Sequence, residues 1–509
     1  MTQFRISMQH LHTWAGLLLG SILFVIFWTG SLSVFDAEID RWTNPATRLS
    51  YEATAWDYDA LYDQALIEVP DARTLIYILP NERRPVFRLL VIGEDGRTTL
   101  QLNPDTLQPL PENVSLGGTG FFFPFHYRLH LRWNSLGYWL VGLASMAMLA
   151  LLVSGLFIHR KLVADFFTLR YSNSSGRRIL DLHNLSSMIA LPFHFLLPLT
   201  GIFIFYGIYF PDALDTATRS DKPAFFSEAL GSLTRPESGE AAAQVSINEL
   251  VTRAERLWEN DGGEAAKAQL IFVSNVGDRN AVVRVTESFP KDGFSMRRRV
   301  TSFDGSDGTL LSNHNPGPVR SVHAWLSGLH FVQLESWALR WLYFGAGLLG
   351  CVMIATGFQF WVAARKRRLP RQARLVDGIA SASVIGVVLA SGAFLIANRL
   401  LPAELELLGQ SRKALEVWVF VIVWTLFGAY AARSPDAGWR TGTIACAGMA
   451  IFAVLLNQMT TGNGLWPPSA AQSPVVAVMD LTLLGSAALC LALTVRRERR
   501  ADLALSQPA

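Results

Sequence analysis

The stretch HTWAGLLLGSILFVIFWTG, His12 to Gly30, returns in form as HNLSSMIALPFHFLLPLTG, His183 to Gly201. Each opens on histidine, carries a small residue four places later (Gly16, Ser187) and closes on Thr-Gly after the same spacing. Each reads as an apolar helix followed by a polar segment with strand-like runs. Each polar segment then leads through a Leu-His pair, Leu129-His130 or Leu329-His330, into another apolar helix. The pattern is a tandem duplication that places histidines at matching depths in a membrane. Histidines repeated at both ends of a helical bundle point to haem ligation, and haems stacked across a bilayer point to electron transfer.

Composition sets the same frame. The chain has 509 residues, 50% hydrophobic and 17% charged, and several apolar runs reach the ~20 residues that span hydrocarbon. An ordinary soluble protein is excluded. A net charge of +3 gives no argument for a nucleic-acid partner, and the basic residues cluster beside apolar runs. The runs fall near 13–35, 136–158, 186–210, 338–362, 377–398, 414–432, 441–457 and 474–494, eight spans that put both termini on one side. The expected layout is a first span at 8–35, a polar domain at 36–128, a second span at 129–160 and a loop at 161–182. A third span at 183–210, a second polar domain at 211–325 and a fourth span at 326–365 follow. A four-span extension at 376–494 and a tail at 495–509 complete it.

His159-Arg160-Lys161 with Arg170, Arg177 and Arg178, and Arg365 to Arg368 with Arg371 and Arg374, follow the second and fourth spans. Arg433, Arg440 and the Arg496–Arg500 cluster continue the pattern, so every even-numbered exit is basic and, by the positive-inside rule, cytoplasmic. Both termini are then cytoplasmic and the polar domains periplasmic, in a bacterial inner membrane with lipid around the spans. The first apolar run exceeds a signal-peptide core and no small-x-small site follows before Asp36, so it reads as a retained anchor. Cys351, Cys446 and Cys490 all lie in spans, which excludes a CxxC mechanism.

The polar domains read alike. The first has a helix over Tyr58 to Ile67 and strands at Thr74–Leu79, Val86–Ile92 and Thr98–Leu102. The second has a helix over Ile247 to Trp258 and strands at Gln269–Ser274, Ala281–Thr286 and Arg297–Phe303. Each is expected to be a small α+β unit of one helix and an antiparallel sheet.

Leu11-His12-Thr13-Trp14-Ala15-Gly16-Leu17, Ile158-His159-Arg160-Lys161 with Asp165 to Arg170, Asp181-Leu182-His183-Asn184, Pro192-Phe193-His194 and Leu329-His330-Phe331 carry a family likeness. Over roughly residues 8–365 the chain resembles the PepSY-associated transmembrane helix family, and within it the inner-membrane, haem-containing ferric-siderophore reductases. The resemblance implies a polytopic α-helical protein with a four-helix haem-binding core, two periplasmic PepSY-like domains and b-type haems. The last four spans lie outside it and contain no histidine.

Ten histidines are present. His12 and His183 are the symmetric candidates, although interfacial histidines also occur without function. His194 lies eleven residues beyond His183, on nearly the same face of a continuous helix and ~16 Å deeper. His130 and His330 occupy equivalent places before spans two and four. His126 precedes His130 by one turn and His323 precedes His330 by two; either pair suits a metal ion, without a carboxylate or cysteine to complete it. His159 stands beside the basic cluster as ligand or headgroup contact, while His10 and His314 read as structural. Gly16, Gly20, Gly142, Gly155, Gly345, Gly347 and Gly350 admit a macrocycle or another backbone, and are as readily helix-packing positions. Met146, Met148 and Met353 read as core, although a thioether can also serve as an axial ligand.

No GxGxxG after a strand, P-loop or hydrolase signature occurs, so electrons come from a quinol or a separate cytoplasmic reductase. The expected protein carries two haem b groups, the cytoplasmic one on His12, His159 and His183 and the periplasmic one on His130, His194 and His330, with the pairs left open. It reduces a ferric siderophore at the periplasmic face. Two other classes stay open, a PepSY regulatory or accessory protein and an iron-chelate permease.

Overall fold

The computed structural model describes residues 3–52, 55–158, 175–212, 216, 227, 229–260, 266–289, 294–331, 336–465 and 474–505. The chain forms two compact units: Met1–Pro45, Asn113–Ile202 and Ala338–Ala509 make one, and Ala46–Glu112 with Phe203–Trp337 the other.

The first unit is a helical membrane bundle. Among the described residues seven helices are long and apolar enough to cross a bilayer, and a bent pair, taken as one span, makes an eighth. The spans are Gln3–Ser33, Leu136–Ile158, the pair Ser175–Ile189 with Leu191–Ile204, Trp337–Arg365, Pro370–Leu400, Arg412–Arg433, Pro435–Thr461 and Pro474–Leu505. In hydrocarbon every backbone polar group must be satisfied within the segment, so apolar runs of this length become helices. Outward-facing Leu18, Leu426 and Leu489 are 72%, 66% and 61% exposed, a surface only lipid covers. Small residues set the helix spacing. A Cβ at Gly20 would meet the Phe358 ring at 2.7 Å, and one at Gly347 or Gly350 would strike Ser31 or Phe27.

The third span departs from the continuous helix expected over 183–210. It bends by 63° between Ile189 and Leu191. Pro192 supplies the reason: it has no N–H for the preceding turn and its ring crowds the residues before it.

The last four spans pack onto the first. Trp28 Nε1 donates to Ser391 Oγ at 3.0 Å, and the Phe121 ring stacks on Phe394 with centroids 4.7 Å apart. The short helix Asp36–Thr43, unforeseen in the sequence, is almost wholly buried here. Its Trp42 Nε1 donates to Asp480 at 2.8 Å, Asn457 Nδ2 donates to the other Asp480 oxygen at 3.1 Å, and Glu38 pairs with Arg340. Asp480, at 0% exposure, is thus a structural carboxylate with fixed donors. Nearby, Glu416 accepts from Ser115 Oγ at 2.8 Å, Asn398 Nδ2 at 3.0 Å and Arg412 at 2.9 Å.

The second unit joins in one sheet the two small α+β units expected from sequence, each too small to cover its apolar face without the membrane surface or the other unit. Its strands are β1 (Thr74–Ile78), β2 (Phe87–Gly93), β3 (Gly96–Leu102), β4 (Ala268–Ser274), β5 (Val282–Glu287), β6 (Val300–Asp304) and β7 (Leu310–His314). They form one antiparallel sheet in the order β3-β2-β1-β4-β5-β6-β7. The repeats join edge to edge through β1 and β4, from Thr74 opposite Ser274 to Ile78 opposite Leu270. Each half alone would expose that edge and half a core; pairing the equivalent strands removes both defects.

Helices Tyr58–Glu68 and Ile247–Asn260 cover one face, and each half helps cap the other. Asp59 accepts from Ile247 N at 2.5 Å and Ser246 Oγ at 2.7 Å, while Asn248 Oδ1 accepts from Tyr58 N at 2.8 Å. Trp258 fills the centre at 0% exposure, its Nε1 donating to Thr301 Oγ1 at 2.9 Å. Trp258→Ala is expected to destabilise this unit by about 3–5 kcal/mol, read as earlier urea unfolding of the far-UV strand signal in the full chain.

At the turn before β5, desolvation would raise the Asp278 carboxyl, but the N–H groups of Asn280, Ser238 and Gly239 and the Ser238 hydroxyl hold it down at about 2. A depressed carboxylate contributes stability that is complete above the unfolded value of ~3.9 and is lost as pH falls through the folded one. Thermal melts between pH 5 and 2 should therefore fall more steeply for the natural chain than for Asp278→Ala.

Candidate functional site

Four histidine rings of the bundle reach across to a neighbouring helix in the same way. His12 Nδ1 meets the Leu151 carbonyl at 3.0 Å, His126 Nδ1 the Ile26 carbonyl at 2.9 Å, His183 Nδ1 the Met353 carbonyl at 2.8 Å, and His194 Nε2 the Ala346 carbonyl at 3.1 Å. Carbonyls only accept, so the named nitrogen carries the proton in each ring and its partner is the basic nitrogen. The basic Nδ1 of His194 is buried without a hydrogen-bond partner.

The contact needs a particular sequence on the receiving helix. Carbonyl i already accepts from the N–H of residue i+4, and every Cβ leans toward the helix N-terminus, so side chain i+4 lies over carbonyl i. A ring approaches most freely if i+4 is glycine. It is glycine all four times: Gly155, Gly30, Gly357 and Gly350 follow the four acceptors by four residues. An added Cβ would stand 3.4 Å from the His12 ring, 2.7 Å from His126, 3.2 Å from His183 and 3.2 Å from His194.

His12 and His183 stand in matching frames, since Leu151–Gly155 and Met353–Gly357 occupy corresponding turns of the second and fourth spans. Their ring centroids are 6.3 Å apart at 90°. Both line a cavity of about 560 Å³ with Gly16, Gly20, Gly155 and Gly357. His194 lies deeper, fully buried, with its ring 5.6 Å from that of Phe27. The break at Ala190 removes the straight-helix relation between His183 and His194, yet both address the fourth span. Their acceptors, Met353 and Ala346, are seven residues apart, about 10 Å along that helix, less than the ~16 Å of an unbroken third span. His126 addresses Ile26, and the His194 ring lies against Phe27, the next residue of the first span.

The remaining candidates fall elsewhere. Leu129 and His130 take left-handed backbone conformations, with φ of 50° and 52°. This turn points His130 away from its neighbour: its Nε2 donates to the Phe121 carbonyl at 2.9 Å and its ring stacks on Phe121 and Phe125, 5.1 and 5.6 Å away. His126, one turn earlier, takes the place in the bundle. Its signal in the sequence was the Thr29-Gly30 that closes the first repeat, read there as a boundary and in the fold as the opening for this ring. His330 ends helix Pro318–Phe331 of the sheet unit, and His159 lies outside the described residues. Among the described residues no three His, Cys, Asp or Glu side chains gather as a metal site, and His126 and His130 turn to different carbonyls, those of Ile26 and Phe121.

A model of the PepSY-associated TM region matches residues 9–364. The chain belongs to that family. All four histidines and their four glycines fall within the matched region of this PepSY-associated protein, and the last four spans fall outside it. It is 27% identical over 389 residues to an uncharacterized protein of Pseudomonas aeruginosa, covering 73% of this chain and 92% of that relative.

Proposed function

We propose that this PepSY-associated membrane protein is an inner-membrane oxidoreductase that holds two b-type haems and carries electrons singly from the cytoplasmic side to the periplasm. There a ferric siderophore is reduced and its iron released. The observation that carries the reading is the fourfold arrangement of histidine, carbonyl and glycine. Metal-bound histidines donate their second ring N–H to a carbonyl or carboxylate, which fixes tautomer and ring plane, and four rings here are held that way inside an apolar bundle. His12 and His183, whose ring centres lie 6.3 Å apart on a shared cavity, would hold one haem iron between them. The reading assigns one group to His12 and His183 and the other to His126 and His194. A bis-imidazole haem supplies one-electron chemistry at a potential set by its ligands and surrounding dielectric.

The chain's part is to present the basic nitrogens, hold their N–H groups on carbonyls and exclude water with Leu, Phe and Met side chains. The basic exits of the even-numbered spans support cytoplasmic termini, which puts the sheet unit in the periplasm beside the chelate. Lowering iron from +3 to +2 weakens its bonds to hard oxygen ligands. The donor is a quinol or a separate cytoplasmic reductase.

An optical spectrum of the detergent-purified protein, before and after dithionite, tests this. The expected result is the reduced α-band of bis-histidine haem b at two per chain. A colourless protein from haem-replete cells overturns the reading. The glycines give a finer check: Gly30→Ala and Gly357→Ala should each shift or deplete one haem, whereas Gly345→Ala, with open space around its Cβ position, should leave the spectrum unchanged.

A further inference from the structure

We infer that Arg5 and Arg365 form an anion subsite at one end of the His12–His183 cavity, built to take the two carboxylates of a planar apolar ligand. The inference rests on the haem reading and adds the orientation of the group within it. The first and fourth spans run antiparallel, since Gly20 meets Phe358 and Phe27 meets Gly350. The start of one therefore lies at the same end of the bundle as the finish of the other. Arg5 precedes His12 by seven residues and Arg365 follows Gly357 by eight, each about 10–12 Å toward that end along its own helix. Both line the cavity, and among the described residues no Asp or Glu lines it.

Neither guanidinium is loose. Arg5 donates to the Ile158 carbonyl at the end of the second span, and Arg365 lies 4.7 Å above the Trp361 ring. The opposite end of the cavity is apolar, with Leu23, Met148 and Leu152. The space is thus graded from two cations, past two imidazoles, to hydrocarbon. An amphiphilic disc with both acids on one edge matches it in one orientation only. Arginine suits carboxylates because its planar fork makes two parallel charge-assisted hydrogen bonds.

The test uses the purified full chain with Arg5→Gln, Arg365→Gln, the double variant and Arg365→Lys. Removing a cation beside the ligand favours the ferric state, so one of the two midpoint potentials should fall in each single variant and further in the double. The other midpoint should stay fixed, haem content should be retained, and lysine should restore part of the shift. In a second measurement haem-stripped protein is titrated with haem and with haem dimethyl ester, whose acids are blocked. The natural chain should bind the ester at least about tenfold more weakly, the loss of one or two charge-assisted hydrogen bonds, and the double variant should not discriminate. Unchanged midpoints with equal binding of haem and ester overturn the proposal. So does a wild-type midpoint that moves on adding anionic phospholipid and not in the double variant, which would assign the arginines to lipid headgroups. A natural chain that takes up no haem sinks the haem reading itself, a result distinct from either.

Discussion

His183→Ala is expected to leave the protein with one low-spin haem per chain in place of two. The ring is held by a 2.8 Å bond to the Met353 carbonyl and faces His12 at 6.3 Å across the cavity, and the described residues offer no third histidine at that level. His12→Ala should have the same effect, and the double variant should lose nothing further, because the two rings act as one unit and their effects are not additive. The bundle should survive each change: the His183 ring is half-buried beside an existing cavity, so truncation enlarges a space already present and leaves no buried charge. Haem per chain and the reduced spectrum decide it. Two haems with an unaltered spectrum in His183→Ala would remove this pair from the assignment.

The second large effect separates two neighbouring histidines. His126→Ala should abolish the deeper haem, while His130→Ala should keep both. His126 enters the gap above Gly30 and donates to Ile26, the residue before the Phe27 whose ring the His194 ring touches. His130 packs flat on Phe121 and Phe125 and donates to the Phe121 carbonyl, so its loss costs ring stacking, about 0.5–1.5 kcal/mol, and one hydrogen bond of about 1 kcal/mol, with no ligand removed. The spectrum of His130→Ala should match the natural protein even where its melting point drops. The opposite outcome, with His130→Ala depleted and His126→Ala intact, would restore the ligand set expected from sequence.

These predictions mark where sequence reading stops. The membrane bundle, the tandem repeat and the helices Tyr58–Glu68 and Ile247–Asn260 were legible, because hydrocarbon forces long apolar runs to satisfy their backbones as helices and amphipathic periods report burial. Five of the six expected strands begin within two residues of their expected starts; β6 begins at Val300, three residues after the expected Arg297. The pairing of β1 with β4 was not legible, since an exposed strand edge carries no side-chain signal of what will cover it.

The histidines divide on the same line. His12 and His183 stood out because duplication puts them in equivalent helical turns, and equivalent sequence imposes equivalent local structure. Ring direction depends on more. The break at Ala190 and the left-handed turn at Leu129-His130 redirect side chains by amounts that no helical period encodes. Whether a ring finds a carbonyl depends on a glycine in a different helix, 96 or more residues away. By itself, then, the sequence determined the spans, the repeat and which residue types could ligate, all consequences of local burial. Only the tertiary structure decided which four histidines share the bundle interior and that the two polar segments are one sheet, because both follow from contacts between segments distant in the chain.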